Sequence, residues 1–341
     1  MKNKNSIIYV ELSSSGHRKY HLDNFLSTKQ KNDMVRVICD KELSQVALKH
    51  LEPENIIIFD EDIGPRRIKL KQLVKLISLL NSNKPYEKVH LAYLDSFILY
   101  LPILAICISK ISGLFFRPTM HYYKLNEKID FYNIKLFFSG LVKEILISVS
   151  QFLNKNLSIK SLDNTWRKKS NNHLIDILPY SINNKQNSSQ SSHTNSIFLF
   201  GEVSHRKGVD DMLHLCNDYN FKPLIWGKMN NNNNVIEYTY SNQDKLSFTD
   251  NELIDELALN NHIVWLGYNE HVGSSAALLW AKYFNCKIIV RKNNYLYAQA
   301  KQFFLTEDDY KYDLKLMRPN DEVKLNNKNN VLDYTAFILN G

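Results

Sequence analysis

Cysteine is scarce in this chain, and its placement excludes two classes of protein. Four cysteines occur among 341 residues, each in an apolar stretch far from the others: Cys39, Cys107, Cys216 and Cys286. This spacing forms neither a CxxC metal site nor the disulfide framework of a small secreted protein. A reducing, cytoplasmic location is therefore expected.

The glycines and the clustered acidic residues do not form the motifs of a cofactor site or a metal site. None of the 10 glycines forms a GxGxxG fingerprint, which argues against a nicotinamide dehydrogenase. No DxD cluster follows a predicted strand, and the acidic run Asp60, Glu61 and Asp62 is expected to solvate a turn. We therefore expect no metal and no cofactor.

Targeting and membrane-spanning segments are not predicted. The start, MKNKNSIIYVEL, has too short an apolar run for a signal peptide. Residues 96–116 approach the length of a membrane span, but Pro102, Lys110 and Gly113 interrupt them. We expect this stretch to form a buried helix followed by a strand.

The net charge indicates which classes of ligand the protein is expected to bind. Hydrophobic residues make up 44% of the chain, enough for large cores, and the net charge is +8 with a pI near 9.0. Such an excess suits phosphorylated small molecules, an anionic membrane or nucleic acid. Because the basic residues are spread out and form no known binding module, nucleic acid is not expected.

Apolar, β-branched runs alternate with helical patterns along the first half of the chain. This alternation predicts βαβ units and a parallel sheet. The predicted strands cover residues 6–12, 34–40, 55–60, 88–95 and 113–118, and residues 68–80 form an amphipathic helix between two of them.

A second α/β domain is predicted after a polar break. Residues 183–195 carry no apolar side chain and are expected to be a solvated linker. Strand patterns resume at residues 196–200, 222–227, 262–268 and 286–292. The prediction is one doubly wound domain over 1–182 and a second over 196–341, facing across a cleft, with the final helix packing back on the first domain.

Turns carrying glycine and cations follow the first predicted strand of each domain. Gly16 permits a tight turn and His17 opens a basic helix start, which suits either an ordinary turn or an anion site. In the second domain Gly201 permits a sharp exit, and Lys207 is expected in the first helical turn. A cation there opposes the helix dipole, and a bound phosphate would neutralise it.

A third turn places small residues before a predicted helix. Gly273, Ser274 and Ser275 leave backbone N–H groups open to an anion, although serine is also a common helix cap. After another strand, Arg117 and His121 are weaker candidates for residues that face the cleft, with a plain turn as the alternative.

The order of these motifs resembles that of the retaining family 4 glycosyltransferases of the GT-B fold, over most of the chain. The pattern G-x5-K-G at residues 201–208 is followed by Y-x4-GSS-x2-LL-x-A-x5-K-x2-V at 268–290. The stretch GHRKYHLDNF resembles that family's amino-terminal glycine turn, and ILPYSI resembles the LPDPV before its domain linker.

The resemblance assigns the acceptor side to residues 1–182, where Arg117 and His121 would meet the acceptor, and the nucleotide sugar to residues 196–341. It also implies a role for each matching residue. Lys207, with Arg206 beside it, would neutralise the donor diphosphate, and the backbone amides of Gly273, Ser274 and Ser275 would cap it. Gly16, His17 and Gly201 would approach the donor, and His17 would orient the sugar or acceptor. These donor-side groups would stabilise a leaving diphosphate without a metal.

Two departures from the family pattern keep a second interpretation open. The usual arginine after the first glycine is Glu202, and the family's paired glutamates fall on Val272 and Trp280. Glu270 can replace the first glutamate by a two-residue shift and bind sugar hydroxyls. Trp280 either fills the core or faces the cleft.

The resemblance therefore implies a hexosyltransferase that transfers sugar from a nucleotide sugar, with retention, to a polysaccharide or lipid-linked glycan. The alternative is a non-catalytic GT-B relative that binds a sugar or a partner protein. The basic balance suggests peripheral contact with the inner, anionic face of the cytoplasmic membrane.

Overall fold

The chain folds into two compact units, each built from more than one segment of the sequence. The first unit comprises Met1–Tyr123, Asp130–Tyr180 and Asn327–Gly341, and the second comprises Lys124–Ile129 and Ser181–Asn326. A computed structural model describes residues 6–14, 18–61, 68–117, 131–162, 166, 173–178, 195–201, 203–227, 244–260, 262–269, 275–292 and 295–341. The expected linker lies outside these ranges except for Asn195.

The first unit contains a six-stranded, fully parallel sheet in the order β3-β2-β1-β4-β5-β6. Its strands are β1 (Ser6–Glu11), β2 (Met34–Cys39), β3 (Ile56–Ile58), β4 (Lys88–Leu91), β5 (Ile111–Phe115) and β6 (Leu157–Ser161). This strand order is that of a doubly wound dinucleotide-type fold, and it reverses direction between β1 and β4.

Helices join and cover these strands. They are α1 (Arg18–Thr28), α2 (Lys41–Ala47), α3 (Leu70–Ser82), α4 (Leu101–Cys107), α5 (Phe131–Leu153) and, from the far end of the chain, α10 (Asn327–Asn340). The spacing of apolar residues decides which face is buried: in α3, Leu73, Leu76 and Leu80 lie in the core. Asp40 caps α2 by accepting a hydrogen bond from the Leu43 N–H.

Helix α10 completes the hydrophobic core on one face of the first sheet. Tyr334, Phe337 and Ile338 of α10 are buried in the same cluster as Tyr9 of β1 and Phe25 of α1. Lys88 at the start of β4 donates a hydrogen bond of 3.0 Å to the Phe337 carbonyl near the end of α10. Burial lowers the pKa of Lys88 to about 7, and the charged form of its side chain complements the negative end of the helix dipole.

The second unit contains a mixed six-stranded sheet in the order β11-β12-β10-β9-β7-β8. Its strands are β7 (Ser196–Phe200), β8 (Lys222–Trp226), β9 (Ile263–Leu266), β10 (Ile288–Arg291), β11 (Phe304–Tyr310) and β12 (Leu314–Pro319). The four strands β7 to β10 are parallel, whereas β12 and β11 continue the sheet as an antiparallel hairpin.

Its helices are α6 (Val209–Tyr219), α7 (Asp250–Leu259), α8 (Ala276–Tyr283) and α9 (Tyr295–Ala300). The start of α7 carries a reciprocal cap in which Thr249 and Glu252 each bond the other's backbone N–H. The predicted fold class, two Rossmann-like α/β domains, is confirmed.

Candidate functional site

Strand β7 lies at the point where the second sheet changes direction. The chain passes from β7 to β8 on one side and then returns to β9 on the other side. The connections that leave the carboxyl ends of β7 and β9 therefore head towards opposite edges of the sheet. In open α/β sheets ligands bind at such a switch point.

The turn after β7 depends on two glycines with left-handed backbones. Gly201 has φ +87° at the strand end, and Gly208 has φ +65° immediately before α6. Between them, His205–Lys207 form one 3₁₀ turn. A Cβ on Gly208 would lie 2.4 Å from the Gly267 carbonyl oxygen, so only glycine allows this close approach to the end of β9.

The position of Lys207 differs from the sequence expectation. Helix α6 begins at Val209, so Lys207 precedes it rather than standing in its first turn. The expected conflict between this cation and the dipole of α6 therefore does not arise, because Gly208 redirects the chain before the helix starts. Asp210 and Asp211 occupy the first turn instead, where carboxylates are favourable.

The Lys207 side chain turns back towards the end of β7. Its Nζ donates a hydrogen bond of 2.9 Å to the Phe200 carbonyl and lies 5.5 Å from the centre of the Tyr268 ring. A Cβ on Gly201 would come within 3.2 Å of the same Nζ. The ammonium is thus held at the switch point with only 8% of the residue exposed.

The segment after β9 fixes the backbone of the lysine turn. The Trp265 indole N–H donates to the Lys207 carbonyl at 2.7 Å. Asn269 donates its backbone N–H to the Arg206 carbonyl and its side-chain amide to the His205 carbonyl, both at 2.9 Å. All three carbonyls of the turn therefore accept hydrogen bonds from Trp265 or Asn269, which ties the turn to the end of β9.

Arg291 at the end of β10 holds that segment in turn. Its Nη2 donates to the Asn269 side-chain oxygen at 2.9 Å and pairs with the Asp211 carboxylate. Its Nη1 donates to the Tyr312 carbonyl at 2.9 Å. Arg291 therefore links the end of its own strand, β10, to the segment after β9, to the β11–β12 turn and to α6.

Tyr268 connects Lys207 with the start of α8. Its hydroxyl is hydrogen-bonded to Ser275, and the Arg206 guanidinium is close enough to act on it electrostatically. Burial raises the pKa of Tyr268 to about 12, while the smaller effects of Arg206 and Ser275 oppose that rise. Tyr268 is therefore a neutral phenol at physiological pH, and Lys207, Arg206 and Ser275 surround it.

The start of α8 is the better of two helix ends for an anion. Helix α6 begins with Asp210 and Asp211, whereas the first turn of α8 contains no acidic residue. Ser275 makes no side-chain cap to α8, and its hydroxyl bonds Tyr268 instead. The first N–H groups of a helix lack intrahelical partners, and they point along its positive dipole.

Of the remaining donor-side candidates, most lie outside the residues that the structure describes. Gly16, His17, Glu202, Glu270, Gly273 and Ser274 lie outside the described residues. Trp280 is described: it is 3% exposed in α8 and stacks on Phe284 with ring centres 6.0 Å apart. It fills the core, as the first of its two interpretations stated, and brings neither a carboxylate nor an open ring face to the switch point.

A second polar cluster lies at the switch point of the first sheet, between β1 and β4. Glu11 ends β1, and its carboxylate accepts a hydrogen bond of 3.1 Å from Arg18 at the start of α1. The Arg18 guanidinium lies 3.7 Å from the centre of the Tyr93 ring, which follows β4. Burial raises the pKa of Glu11 to about 7, although the Arg18 charge and the Ser13 N–H act in the opposite direction.

Arg117, a predicted acceptor-side residue, joins this cluster. It is exposed just beyond β5, and its charge lowers the pKa of Tyr93 against the larger effect of burial, which raises it. Asp95 fixes the chain beside it by accepting from the Phe116 N–H at 2.8 Å and from Lys143 at 3.0 Å. His121, the other predicted acceptor-side residue, lies outside the described ranges.

The basic start of α1 contacts carboxylates of the protein itself. Arg18 pairs with Glu11, Lys19 lies 3.4 Å from a Glu42 oxygen, and His21 lies 3.1 Å from an Asp176 oxygen. The sequence pattern indicated cations that could attract an external anion. The structure instead uses these side chains to attach α1 to neighbouring segments.

Sequence reasoning missed the residues that organise both clusters. Tyr268 was part of the recognised pattern but had no role, and Asn269, Arg291 and Glu11 carried no motif signal. Their importance depends on the strand order, which places β9 and β10 beside β7. The described residues contain no group of three or more His, Cys, Asp or Glu side chains suited to a metal ion.

Comparisons with known proteins identify the fold. No protein-family model matches the chain, and no curated protein matches its sequence. Among solved structures, HepE of Anabaena in complex with UDP and glucose is similar over 86% of this chain and 82% of its own, at 10% identity and a TM-score of 0.53. Sucrose-phosphate synthase of Thermosynechococcus elongatus is similar over 84% of this chain and 81% of its own, at 12% identity and a TM-score of 0.53.

A third similar structure belongs to an enzyme that is not a transferase by name. The putative UDP-N-acetylglucosamine 2-epimerase of Listeria monocytogenes is similar over 99% of this chain and 89% of its own, at 10% identity and a TM-score of 0.51. At such low identity the likeness concerns architecture alone. Together with the two parallel-dominated sheets, it shows that this chain has the GT-B fold.

Proposed function

We propose that this protein binds a nucleotide sugar through its second unit and transfers the sugar to a glycan acceptor. The observation that carries the proposal is the Lys207 ammonium, held at the β7–β9 switch point by the Phe200 carbonyl and the Tyr268 ring. Arg206 and the start of α8 add positive potential near Tyr268. Cations beside a helix N-terminus suit an anion such as a diphosphate.

The fixed backbone of the lysine turn supports catalysis rather than binding alone. In glycosyl transfer the acceptor oxygen bonds to the anomeric carbon, the bond from that carbon to the diphosphate oxygen breaks, and the acceptor proton passes to the departing diphosphate. Cations already held in place stabilise the charge that gathers on this leaving group. Asn269 and Trp265 hold the lysine turn in place before any ligand arrives.

The first unit supplies the acceptor-side groups in this proposal. Arg117 and Tyr93 lie at the switch point of the first sheet, and Glu11 positions Arg18 beneath them. The family resemblance extends the proposal to His17 for sugar or acceptor orientation and Glu270 for sugar hydroxyls. Retention, a hexose donor and a polysaccharide or lipid-linked acceptor belong to the proposal through the same resemblance.

A turnover assay with product analysis tests the proposed transfer. The donor base is first chosen by thermal shift with UDP, GDP, dTDP and CMP, because a ligand that binds the folded state raises its apparent stability. The nucleotide sugars of that base are then incubated with glycan and lipid-linked acceptors. Transfer or donor hydrolysis supports the proposal.

Two other outcomes would each replace the proposed reaction with another one. Binding without turnover of any donor would indicate the non-catalytic relative. Recovery of a nucleotide sugar with inverted stereochemistry at one carbon, formed without acceptor, would indicate an epimerase, the activity in the name of the Listeria protein of similar fold.

The variant Lys207→Ala tests the residue that carries the proposal. We expect transfer to fall at least tenfold, because one cation aimed at a developing charge contributes about 2 to 4 kcal/mol. Lys222→Ala is the matched control, since Lys222 is exposed at the opposite, amino end of neighbouring β8. Equal rates for both variants at subsaturating donor would exclude Lys207 from the site.

A further inference from the structure

Helix α5 exposes the face that a surface helix normally buries. Its large exposed residues recur every three or four positions along one side, so they form a continuous apolar stripe. They are Ile134, Phe138, Val142, Ile145, Val149, Phe152 and Leu153, with Phe138 59% and Phe152 75% exposed. The 23-residue helix is about 34 Å long, and the stripe runs along most of it.

The opposite side of α5 is attached to the first unit by apolar and polar contacts. Ile147 is fully buried in the core, Lys143 pairs with Asp95, and Glu144 accepts a hydrogen bond from the Trp166 indole. Among the described residues, Ile134–Leu153 is the one helical segment long and apolar enough to cross a membrane, and few of its residues are buried. A spanning orientation would remove these contacts, whereas a helix lying flat on a bilayer keeps them.

Helix α4 enlarges the apolar surface. It packs against α5, and the Asn154 side chain joins the two helix ends by donating to the carbonyls of Ala105 and Ile108 at 3.1 and 2.8 Å. Ile103 and Ile106 of α4 are 43% and 71% exposed. We call the exposed apolar side chains of α4 and α5 the α4–α5 face.

The charges around this face select its partner. Lys135 and Lys155 are exposed near the two ends of α5, and Lys110 follows α4. Glu144 is the one acidic residue in the sequence from 131 to 160, and it is engaged with Trp166. The face therefore combines apolar side chains with a basic rim.

A second copy of the chain fits this surface poorly. Packing two α5 helices against each other would bring Lys135 close to Lys155 or Lys135 of the other copy, and like charges repel at such an interface. An anionic bilayer offers an apolar interior for the stripe and phosphate groups for the lysines.

We propose that the α4–α5 face lies in the surface of an anionic phospholipid bilayer, with α5 parallel to the membrane plane. Phe138 and Phe152 enter the boundary between headgroups and acyl chains, and Lys135 and Lys155 contact lipid phosphates. This attachment needs no nucleotide, so it is testable independently of the proposed transfer.

Vesicle flotation of the full chain without nucleotide is the first test. We expect at least tenfold more protein with vesicles containing 30% phosphatidylglycerol than with pure phosphatidylcholine, and weaker binding as salt screens the charges. The double variant Phe138→Gln/Phe152→Gln should lose at least tenfold in binding while keeping its thermal midpoint. Val74→Gln/Leu332→Gln is the matched control, since both residues are exposed on other helices of the same unit.

A native cysteine allows a direct second test. Cys107 is exposed at the end of α4, whereas Cys39, Cys216 and Cys286 are buried. An environment-sensitive dye on Cys107 should shift its emission to the blue with phosphatidylglycerol vesicles and stay unchanged with phosphatidylcholine. If the Phe138→Gln/Phe152→Gln variant binds vesicles as tightly as the wild type, the proposal is overturned. It is also overturned if light scattering shows a wild-type dimer that this variant converts to a monomer, while the dye on Cys107 does not respond to vesicles.

Discussion

At the residue scale, Lys207 shows how a lysine side chain can be held in place to bind an anion. Its Nζ contacts a strand-end carbonyl and an aromatic face, and its backbone carbonyl accepts from Trp265. An ordinary surface lysine rotates freely and is strongly hydrated. Fixing it before a ligand binds removes most of the ordering cost from the binding step.

Glu11 gives a pH-dependent prediction at the same scale. Its folded pKa of about 7 exceeds the ordinary 4.5, so the folded state takes up a proton that the unfolded state releases. Its contribution to stability is therefore full below pH 4.5 and is lost as the pH rises through 7, a change of roughly 3 kcal/mol. Glu11→Gln should remove this decline. The free energy of unfolding of the variant, relative to that of the wild type, should therefore increase between pH 5 and 8.

Urea unfolding at several pH values measures this difference. Glu42→Gln serves as the control, because Glu42 is exposed and Ser14 and Lys19 lower its pKa. Parallel pH profiles for wild type and Glu11→Gln would contradict the raised pKa.

Single residues were predictable where a motif fixes the backbone, and less so where a partner comes from elsewhere in the chain. Gly201 and Lys207 stand out in the sequence because a glycine follows a strand and a cation precedes a helix. Glu11 reads as an ordinary strand end, since its partner Arg18 is found only when α1 folds back over β1.

At the element scale, the lysine turn depends on Gly208 more than on any capping side chain. Gly208→Ala would combine a left-handed backbone with a Cβ only 2.4 Å from the Gly267 carbonyl. We expect a loss of about 3 kcal/mol or more in the free energy of unfolding, together with weaker nucleotide binding as the lysine turn moves.

Asn220→Ala is the matched control for that strain. Asn220 ends the same helix α6 with φ +55°, so alanine there should cost only about 1 to 2 kcal/mol from backbone strain. Thermal or urea unfolding of both variants, with nucleotide titration of each, separates the effects. Equal losses in the two variants would show that the approach of Gly208 to Gly267 is not tight.

The elements themselves were largely predictable from apolar periodicity. Residues 196–200 form the expected strand, and the predicted helix at 68–80 appears as α3 two residues later. Strand β6 and the hairpin of β11 and β12 were missed. β6 alternates in burial and β11 is mostly exposed, so neither shows the continuous apolar run of a buried parallel strand.

The long apolar stretch was correctly divided into a helix and a strand, with one physical difference. Helix α4 and strand β5 occupy it as expected, but Ile103 and Ile106 of α4 are exposed. Hydrophobic residues in a sequence predict that their side chains are shielded from water, but they do not predict which surface shields them. In this unit the partner of the α4–α5 face is the proposed bilayer.

At the scale of the whole molecule, the chain's last helix stabilises its first unit. Phe337 of α10 contacts the Lys88 and Lys160 ammonium groups and packs edge-on against His90. Phe337→Ala should lower the free energy of unfolding of the first unit by about 3 to 5 kcal/mol. Nucleotide affinity of the second unit should remain unchanged in the same variant.

Calorimetry with and without nucleotide checks this separation. Leu332→Ala is the control on the same helix, since Leu332 is 47% exposed and its truncation should cost little. A large loss of nucleotide binding in Phe337→Ala would show that α10 supports the second unit as well.

The central claim is that the switch point of the second sheet recognises a diphosphate. Trp280 is buried, so its position offers the ribose no carboxylate, and we expect the charged groups around Lys207 to supply most of the affinity. Titration calorimetry of UDP against uridine at two salt concentrations, or of the diphosphate and nucleoside of whichever base binds, tests this directly. We expect at least tenfold tighter binding of the diphosphate, a smaller ratio at high salt, and loss of the difference in Lys207→Ala. Equal affinities for the nucleoside and its diphosphate in the wild-type protein would contradict the claim.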